Sequence, residues 1–508
     1  MAINRWVAAA ATAVLMTAST VPAATPPASD TAITIYSSQQ PGAISPDFYR
    51  PLPGGMVPMA SAVPGYAMVR QDRTVTLAGG RQSMRFADVA ALIDPTTVTF
   101  TVPGDPAVRV IEQNFQFDLV SNAKLLQRFL DRSITVERTL GNQSSVVSGT
   151  LLSAGDGLVL RASDGSIQSL RDYSAVRFPD LPGGLITQPT LVWDINAPVA
   201  GDKRARVTYQ TGGITWWADY NVIFNEGGNA NSGLLDLSAW VSIINQTGAS
   251  FTDAKLKLIA GDVHRAAQPS MPRAGGVLAM AMRKEADEGF VEKAFDEFHL
   301  YTLGRKTTLP NNSTKQLELF DKARQIPARR LLTYTGAMAP EFGSPYMERN
   351  AGIAMNTRVE SFVEFRNDAA SGLGVPLPAG RVRVSKLDAA DGSLEFIGED
   401  AIGHTPKDEN VRLKLGDAFD VVGERRQVDF TVNSGGHVME EEIEVKIRNH
   451  KSQPVEVIVQ EPLYRWTNWR LLSKSQDYVK DSARLIHFTV NVPRDGESVV
   501  RYRVRYTW

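Results

Sequence analysis

Residues 211–265 alternate apolar and polar side chains with a period of two, over a length that excludes an amphipathic helix. Trp216, Ala218, Tyr220, Val222 and Phe224 fall on one side of an extended chain, and Trp217, Asp219 and Asn221 on the other. Leu235, Leu237, Ala239, Val241 and Ile243 form a second row, and Leu256, Leu258 and Ala260 a third after a turn at 245–248. Strands with one dry side bury it only against another layer, so the pattern predicts an all-β sandwich. It also predicts that the three strands follow one another as a meander.

The C-terminal part repeats this rhythm. Ile443, Val445 and Ile447 oppose Glu442, Glu444 and Lys446, and Val455, Val457 and Val459 follow. At the end of the chain Val500, Tyr502, Val504, Tyr506 and Trp508 alternate with Arg501, Arg503 and Arg505. Arginines facing lipid would each cost roughly 2–4 kcal/mol at mid-membrane, so this is read as a final sandwich strand rather than part of a membrane barrel. An apolar strand ends three times in Asn before a turn, at Asn245, Asn367 and Asn449. Asn hydrogen-bonds its own backbone and tolerates left-handed conformations. The recurrence fits an internal repeat of an immunoglobulin-like hairpin, and equally fits convergence on good turn chemistry.

Met1 to Ala23 has the plan of a secretory signal peptide: Arg5, an apolar run from Trp6 to Met16, and small residues at Val21-Pro22-Ala23. A flexible leader is expected over 24–32, then a β module over 33–132 with one short helix capped by Ser121. Five short strands with Gly and Asp turns over 133–182 suggest a small SH3-like β-barrel, or an extension of the neighbouring sheet. Two tandem immunoglobulin-like β-sandwiches are expected over 183–352 and 353–508. The first carries a mobile loop over 266–292 that ends in a short helix near 285–295.

The chain of 508 residues contains no cysteine, so disulfides, thiolate metal sites and cysteine nucleophiles are excluded. The roughly 485 residues after Ala23 are enough for about three self-sufficient cores. With 54 basic and 55 acidic residues the formal charge is -1, which argues against a nucleic-acid partner. No second run of roughly 18 apolar residues follows the leader, so no transmembrane segment is expected after cleavage. The six histidines show no zinc spacing, and neither a nucleophile elbow, a phosphate loop nor a dinucleotide fingerprint occurs. No catalytic residue, cofactor or metal is therefore assigned.

Two groups of residues merit attention as binding surfaces. Trp216, Trp217, Trp240, Trp466 and Trp469 would suit stacking on sugar rings, and Trp217 and Trp240 fall on the wetter side of their strands, beside Asp219. His404, Lys407, Asp408 and Glu409 gather a histidine, an ammonium and two carboxylates just after Glu399 and Asp400. Core aromatics and a solvated turn are the structural alternatives for these groups. Asp94 and Asp262 are weaker candidates.

Longer phrases resemble a known family. They include LPGGLITQPTLVW at 181–193, TGGITWWADY at 211–220, EFHLYTLGRKTTLPNNSTKQLELF at 297–320, GLGVPLPAGRVRV at 372–384 and FIGEDAIGHTPKDE at 396–409. The chain is similar to the mucoidy inhibitor A-like family, a bacterial domain of unknown function. Many relatives carry an upstream coiled coil, whereas this chain has no sustained apolar heptads. The resemblance implies no reaction and no catalytic residues. Together these features predict a periplasmic or secreted protein of a Gram-negative envelope that binds an envelope protein or polymer without catalysis. The alternative is a carbohydrate-active protein, either a glycan-binding module or a two-carboxylate glycoside hydrolase. Self-association through strand edges is a third possibility.

Overall fold

A computed structural model describes residues 30–37, 44–50, 62–140, 143–261, 290–295, 298–337, 343–349, 356–388 and 390–508. Strand accounts for 65% and helix for 3%, which makes the protein all-β. Among the described residues no helix is long and apolar enough to cross a membrane. The expected signal peptide lies outside the described residues, as does most of the 266–292 loop.

The alternating rows do form the main core. Trp216, Ala218, Tyr220, Val222 and Phe224 on strand Ile214–Glu226 are buried, and so are Leu235 to Ile243 at every second position on Ser232–Asn245. The two strands pair antiparallel, with Trp216 opposite Ile243 and Phe224 opposite Leu235. The expected meander stops there. Phe251–Ala260 crosses to the facing sheet and pairs in parallel with Asp30–Tyr36, Leu256 opposite Ile33. Its dry row meets the same core from the other side, and alternation is blind to which layer supplies the neighbours.

Three successive units repeat one arrangement. Ser232–Asn245 lies between Ile214–Glu226 and residues 313–329 of Ser313–Thr335. Arg358–Arg366 lies between the second half of Ser313–Thr335 and the first half of Asn410–Asn433. Val438–Asn449 lies between the second half of Asn410–Asn433 and the last strand, Gly496–Thr507. After each central strand the chain crosses layers and pairs in parallel with an earlier strand: Phe251–Ala260 with Asp30–Tyr36, Gly380–Leu387 with Ile214–Glu226, and Val455–Pro462 with Ser313–Thr335. The shared strands of 23 and 24 residues are far longer than the usual five or six, because each serves two units in turn. A bulge precedes each handover, at Gln325 and Gly416, both with positive φ, and the partner changes at 328–329 and 421–422.

The recurrent Asn ends all three central strands and is buried each time. Asn245 Nδ2 donates to the carbonyls of Ala249, Leu309 and Pro310, Asn367 Nδ2 to those of Val375 and Pro406, and Asn449 Nδ2 to those of Gln453 and Pro493. Each Asn Oδ1 in turn accepts from a backbone N–H of its own turn: Thr247, Gly374 or Lys451. The carbonyl common to all three belongs to a proline that opens a second turn, Pro310-Asn311-Asn312, Pro406-Lys407-Asp408 or Pro493-Arg494-Asp495. The Asx residue there has φ of 52, 66 or 43°. Each Asn thus ties its own turn to the Pro-X-Asx turn of the same unit, which accounts for the recurrence structurally.

Residues on both sides of position 353 share cores. Val363, Phe365, Val382, Val384, Ile402, Val411 and Leu413 join the first core, with Ile33 and Trp216. Leu332, Tyr334 and Val359 join the second, with Ile443, Val457, Phe488 and Tyr502. In the 133–182 region five antiparallel strands form a separate sheet over Leu126, Phe129, Ile134, Val136, Leu151 and Leu160. The Asn122–Arg128 helix leads into this sheet, and Ser121 Oγ accepts from Lys124 N, as the capping pattern predicts. The region interrupts a small sheet in which Arg109–Gln116 and Thr190–Ala197 are neighbours.

Two local expectations need correction. Asp30 to Ala32, at the end of the expected leader, belong to strand Asp30–Tyr36. The helix expected near 285–295 is replaced at Phe290–Phe295 by a strand paired with Phe298–Leu303. An available sheet edge outweighs weak helical propensity there.

Candidate functional surface

Three of the residues singled out from the sequence meet on the outer side of the first unit. Asp219 is the cross-strand partner of Trp240, and Trp217 that of Ser242, so the two indoles are diagonal neighbours within reach of each other's rings. Asp219 is nearly buried and accepts from Ser242 Oγ at 2.7 Å, and Gln316 Nε2 donates to the same hydroxyl at 3.0 Å. Arg383 lies 3.7 Å from Asp219 and 3.0 Å from Glu399. Trp217 is partly covered by Tyr49, at 5.5 Å between ring centroids, in a small cluster with Ile44, Val63 and Ile244. Trp240 keeps 37% of its surface exposed. A ring standing free beside anchored polar groups can stack on an apolar ligand face and orient it by hydrogen bonds.

The His404 to Glu409 group does not join them as a unit. His404 Nδ1 accepts from Ala379 N at 3.0 Å, at the start of the strand whose Gly380 is partnered by Ala218. Lys407, Asp408 and Glu409 form the exposed tip of the second Pro-X-Asx turn. Asp408 N donates to Asn367 O, and Asn367 N donates to Glu409 O. Of the other tryptophans, Trp216 is buried and donates to Ile259 O, Trp466 packs against the second core, and Trp469 donates to Ala483 O. Asp94 Oδ1 accepts from Thr96, closing a turn. Asp262 lies outside the described residues.

The densest buried polar cluster was not singled out from the sequence. In the second core Arg425 Nε donates to both oxygens of Glu461, at 3.2 and 2.9 Å, and the Tyr502 hydroxyl donates to Glu461. Arg465 donates to Glu441 at 2.9 and 3.2 Å, and its remaining donors reach the carbonyls of Tyr346, Glu348 and Arg349. Gln427 and Tyr464 also donate to Glu441. Burial acts against the Arg425 charge, but Glu461, with Tyr502 and Glu441 behind it, holds the guanidinium well above its ordinary range. Burial, aided by Glu461, pushes the Tyr502 phenol well above 10. Each carboxylate is ringed by donors, so this cluster is suited to holding strands together rather than to moving protons. A signal was available: Glu441 shares the parity of Ile443 and Val445, and Glu461 that of Val457 and Val459.

An open groove of about 670 Å³ lies at one end of the first core, lined by Asp30, Asp72, Arg73, Arg204, Lys255 and Lys306 among others. Its charges are paired within the chain: Arg206 grips both oxygens of Asp72 at 2.8 Å, and Lys255 meets Asp30 at 3.1 Å. Among the described residues no group of three or more His, Asp or Glu is arranged to hold a metal ion. No family model, no curated protein and no solved structure matches this chain.

Proposed function

We propose that the protein is an exported, non-enzymatic member of the mucoidy inhibitor A-like family, acting in the periplasm or outside the cell of a Gram-negative bacterium. There it binds another protein or an envelope polymer. The observation that carries this reading is the outer face of the first unit, where Trp240 stands exposed over the Asp219, Ser242, Gln316 and Arg383 network. The plan of residues 1–23 and the family-like phrases support the location and kinship. Asp219 and Glu399 both engage Arg383, an arrangement that steadies a surface more readily than it leaves a proton donor and a nucleophile poised.

The glycan-binding alternative is favoured by the same exposed indole. Tryptophan fluorescence during titration with solubilised peptidoglycan and periplasmic glycans tests the glycan reading, and affinity capture from envelope extract followed by titration of the captured protein tests the protein reading. A saturable change that Trp240→Ala abolishes supports the glycan reading. Saturable binding to an envelope protein, lost in the same variant, supports the protein reading. Release of new reducing ends from the glycan would replace either reading with the hydrolase. Binding of neither class, or binding indifferent to Trp240, removes the proposal.

A further inference from the structure

The far end of the same sheet carries a second surface. Leu394–Ile402 is the terminal strand of the 13-stranded sheet, and among the described residues only Gly380–Leu387 pairs with it. Its second half is shielded by Asn410–Asn433. A side chain at Gly398 would meet Leu415 backbone at 2.7 Å, and Asp400 Oδ2 accepts from Lys414 N at 2.7 Å. The first half, 394–397, has no such cover among the described contacts.

A bulge sets what this edge displays. The register with Gly380–Leu387 slips between Val384 and Ser385, so that Ser385 faces Phe396 and Leu387 faces Leu394. Without the slip, Phe396 would share the inward side of Gly398 and Ile402. With it, Phe396 and Leu394 turn to the outer side with Leu387. They are 64%, 54% and 46% exposed. An edge strand is normally protected by charge or proline, and three neighbouring large apolar side chains on one are a liability unless something covers them.

We infer that this edge is a docking site for an extended segment of another protein that alternates apolar and basic residues. Such a segment would add as a further strand beside 394–397. Two observations select this occupant. First, the open backbone edge suits a strand, whose main chain pairs while alternate side chains meet Leu394 and Phe396, with Leu387 backing them one strand further in. Second, Asp388, Asp391 and Glu395 at this end of the strand form no ion pair among the described residues, whereas Glu399 further along is held by Arg383. A basic segment is attracted to that rim. A second copy of this chain is disfavoured by the same charges, because antiparallel self-pairing about this edge sets Glu395 and its neighbours against their own counterparts.

The inference goes beyond the proposed binding at Trp240 and is tested separately from it. The full chain is titrated into a fluorescently labelled synthetic peptide of alternating lysine and valine, with anisotropy as the readout. Saturable binding is expected, weakened roughly tenfold or more by Leu394→Ser combined with Phe396→Ser, which remove the apolar contacts without adding charge. Leu387→Ser, at the less exposed cross-strand partner of Leu394, guards against misfolding of the double variant and should weaken binding in the same direction, by less. Trp240→Ala should leave the affinity unchanged. A peptide of the same composition with its lysines and valines in two blocks should bind at least several-fold more weakly. Equal affinity for the blocked peptide, or for the variants, overturns the inference. So does a concentration-dependent dimer, seen by light scattering, that Phe396→Glu abolishes.

Discussion

The two large cores are built on different physics. In the first, dozens of apolar side chains meet, together with buried neutral groups such as Thr211, Thr215 and Asn245 and the polar tips of aromatic residues, and among the described residues it encloses no ion pair buried on both sides. Tyr220 donates to Pro378 O at 2.7 Å and Trp216 to Ile259 O at 3.2 Å. The second core is smaller and encloses two arginine–glutamate pairs with tyrosines hydrogen-bonded to the carboxylates. A core held by apolar area weakens by small steps when single atoms are lost. A core that contains buried charge has no such gradation, because one missing partner strands the other in a medium that cannot solvate it. Both units carry polar networks on their outer faces, but among the described residues the third alone encloses charged pairs in its interior.

The largest effect expected from this contrast follows removal of one charge. Glu441→Ala should destabilise by about 3–5 kcal/mol in denaturant unfolding, since Arg465 is then buried without its carboxylate. Replacing Arg465 and Glu441 together by apolar residues of similar volume should cost far less. An equal loss in single and double variants would break the distinction between the cores.

Next come the buried asparagines, which sharpen the comparison because the same device occurs in every unit. Asn245→Ala, Asn367→Ala and Asn449→Ala should each cost about 1–3 kcal/mol, for hydrogen bonds lost and carbonyls left unsatisfied. Similar values at all three positions support a common role, and a null effect at any one would separate that unit from the others.

The smallest effect is a pH dependence. Arg505 and Arg503 hold Glu440 below its usual range, and Arg426 and Arg501 do the same for Glu444. A carboxyl lowered in the folded state contributes stability that is present above its unfolded value near 4.5 and is lost as pH falls through the folded value. Acid should therefore loosen the third unit, where Arg503 also holds Asp429 low. Asp72, lowered by Arg206, and Asp30, lowered by Lys255, give the first core a dependence of the same sign, as does Glu226, where the upward push of burial is outweighed by Lys386. Amide exchange followed from pH 7 to 3, corrected for intrinsic rates, should show protection around 438–449 falling once the pH drops below about 4.5; protection there that is indifferent to pH contradicts this.

Much of this fold was legible because burial has a period. The dry rows of Trp216 to Phe224, Leu235 to Ile243 and Val500 to Tyr506 are where alternation puts them, and Ser121 caps its helix. Pairing was less legible, since a strand's partner is a distant segment and alternation says only which side is dry. Phe251–Ala260 therefore changed sheets, and the shared strands Ser313–Thr335 and Asn410–Asn433 went unrecognised. Trp217, Asp219 and Trp240 were found because they break the polarity of an exposed row. Glu441 and Glu461 break a buried row in the opposite sense, and their partners Arg465 and Arg425 come from other strands or turns. The sequence cluster at 404–409 is explained by turn geometry, which three copies of Pro-X-Asx make plain only once the hydrogen bonds to Asn245, Asn367 and Asn449 are known.

In this molecule buried charge serves the fold, while the exposed face around Trp240 is proposed to serve binding. Thermal unfolding of Glu461→Gln tests this most directly, because the side chain keeps its shape and loses only its charge. A midpoint several degrees below that of the unaltered protein, with ligand binding at Trp240 retained, is the predicted result. A midpoint unchanged or raised, with binding lost, would show that Glu461 is held for function at the fold's expense.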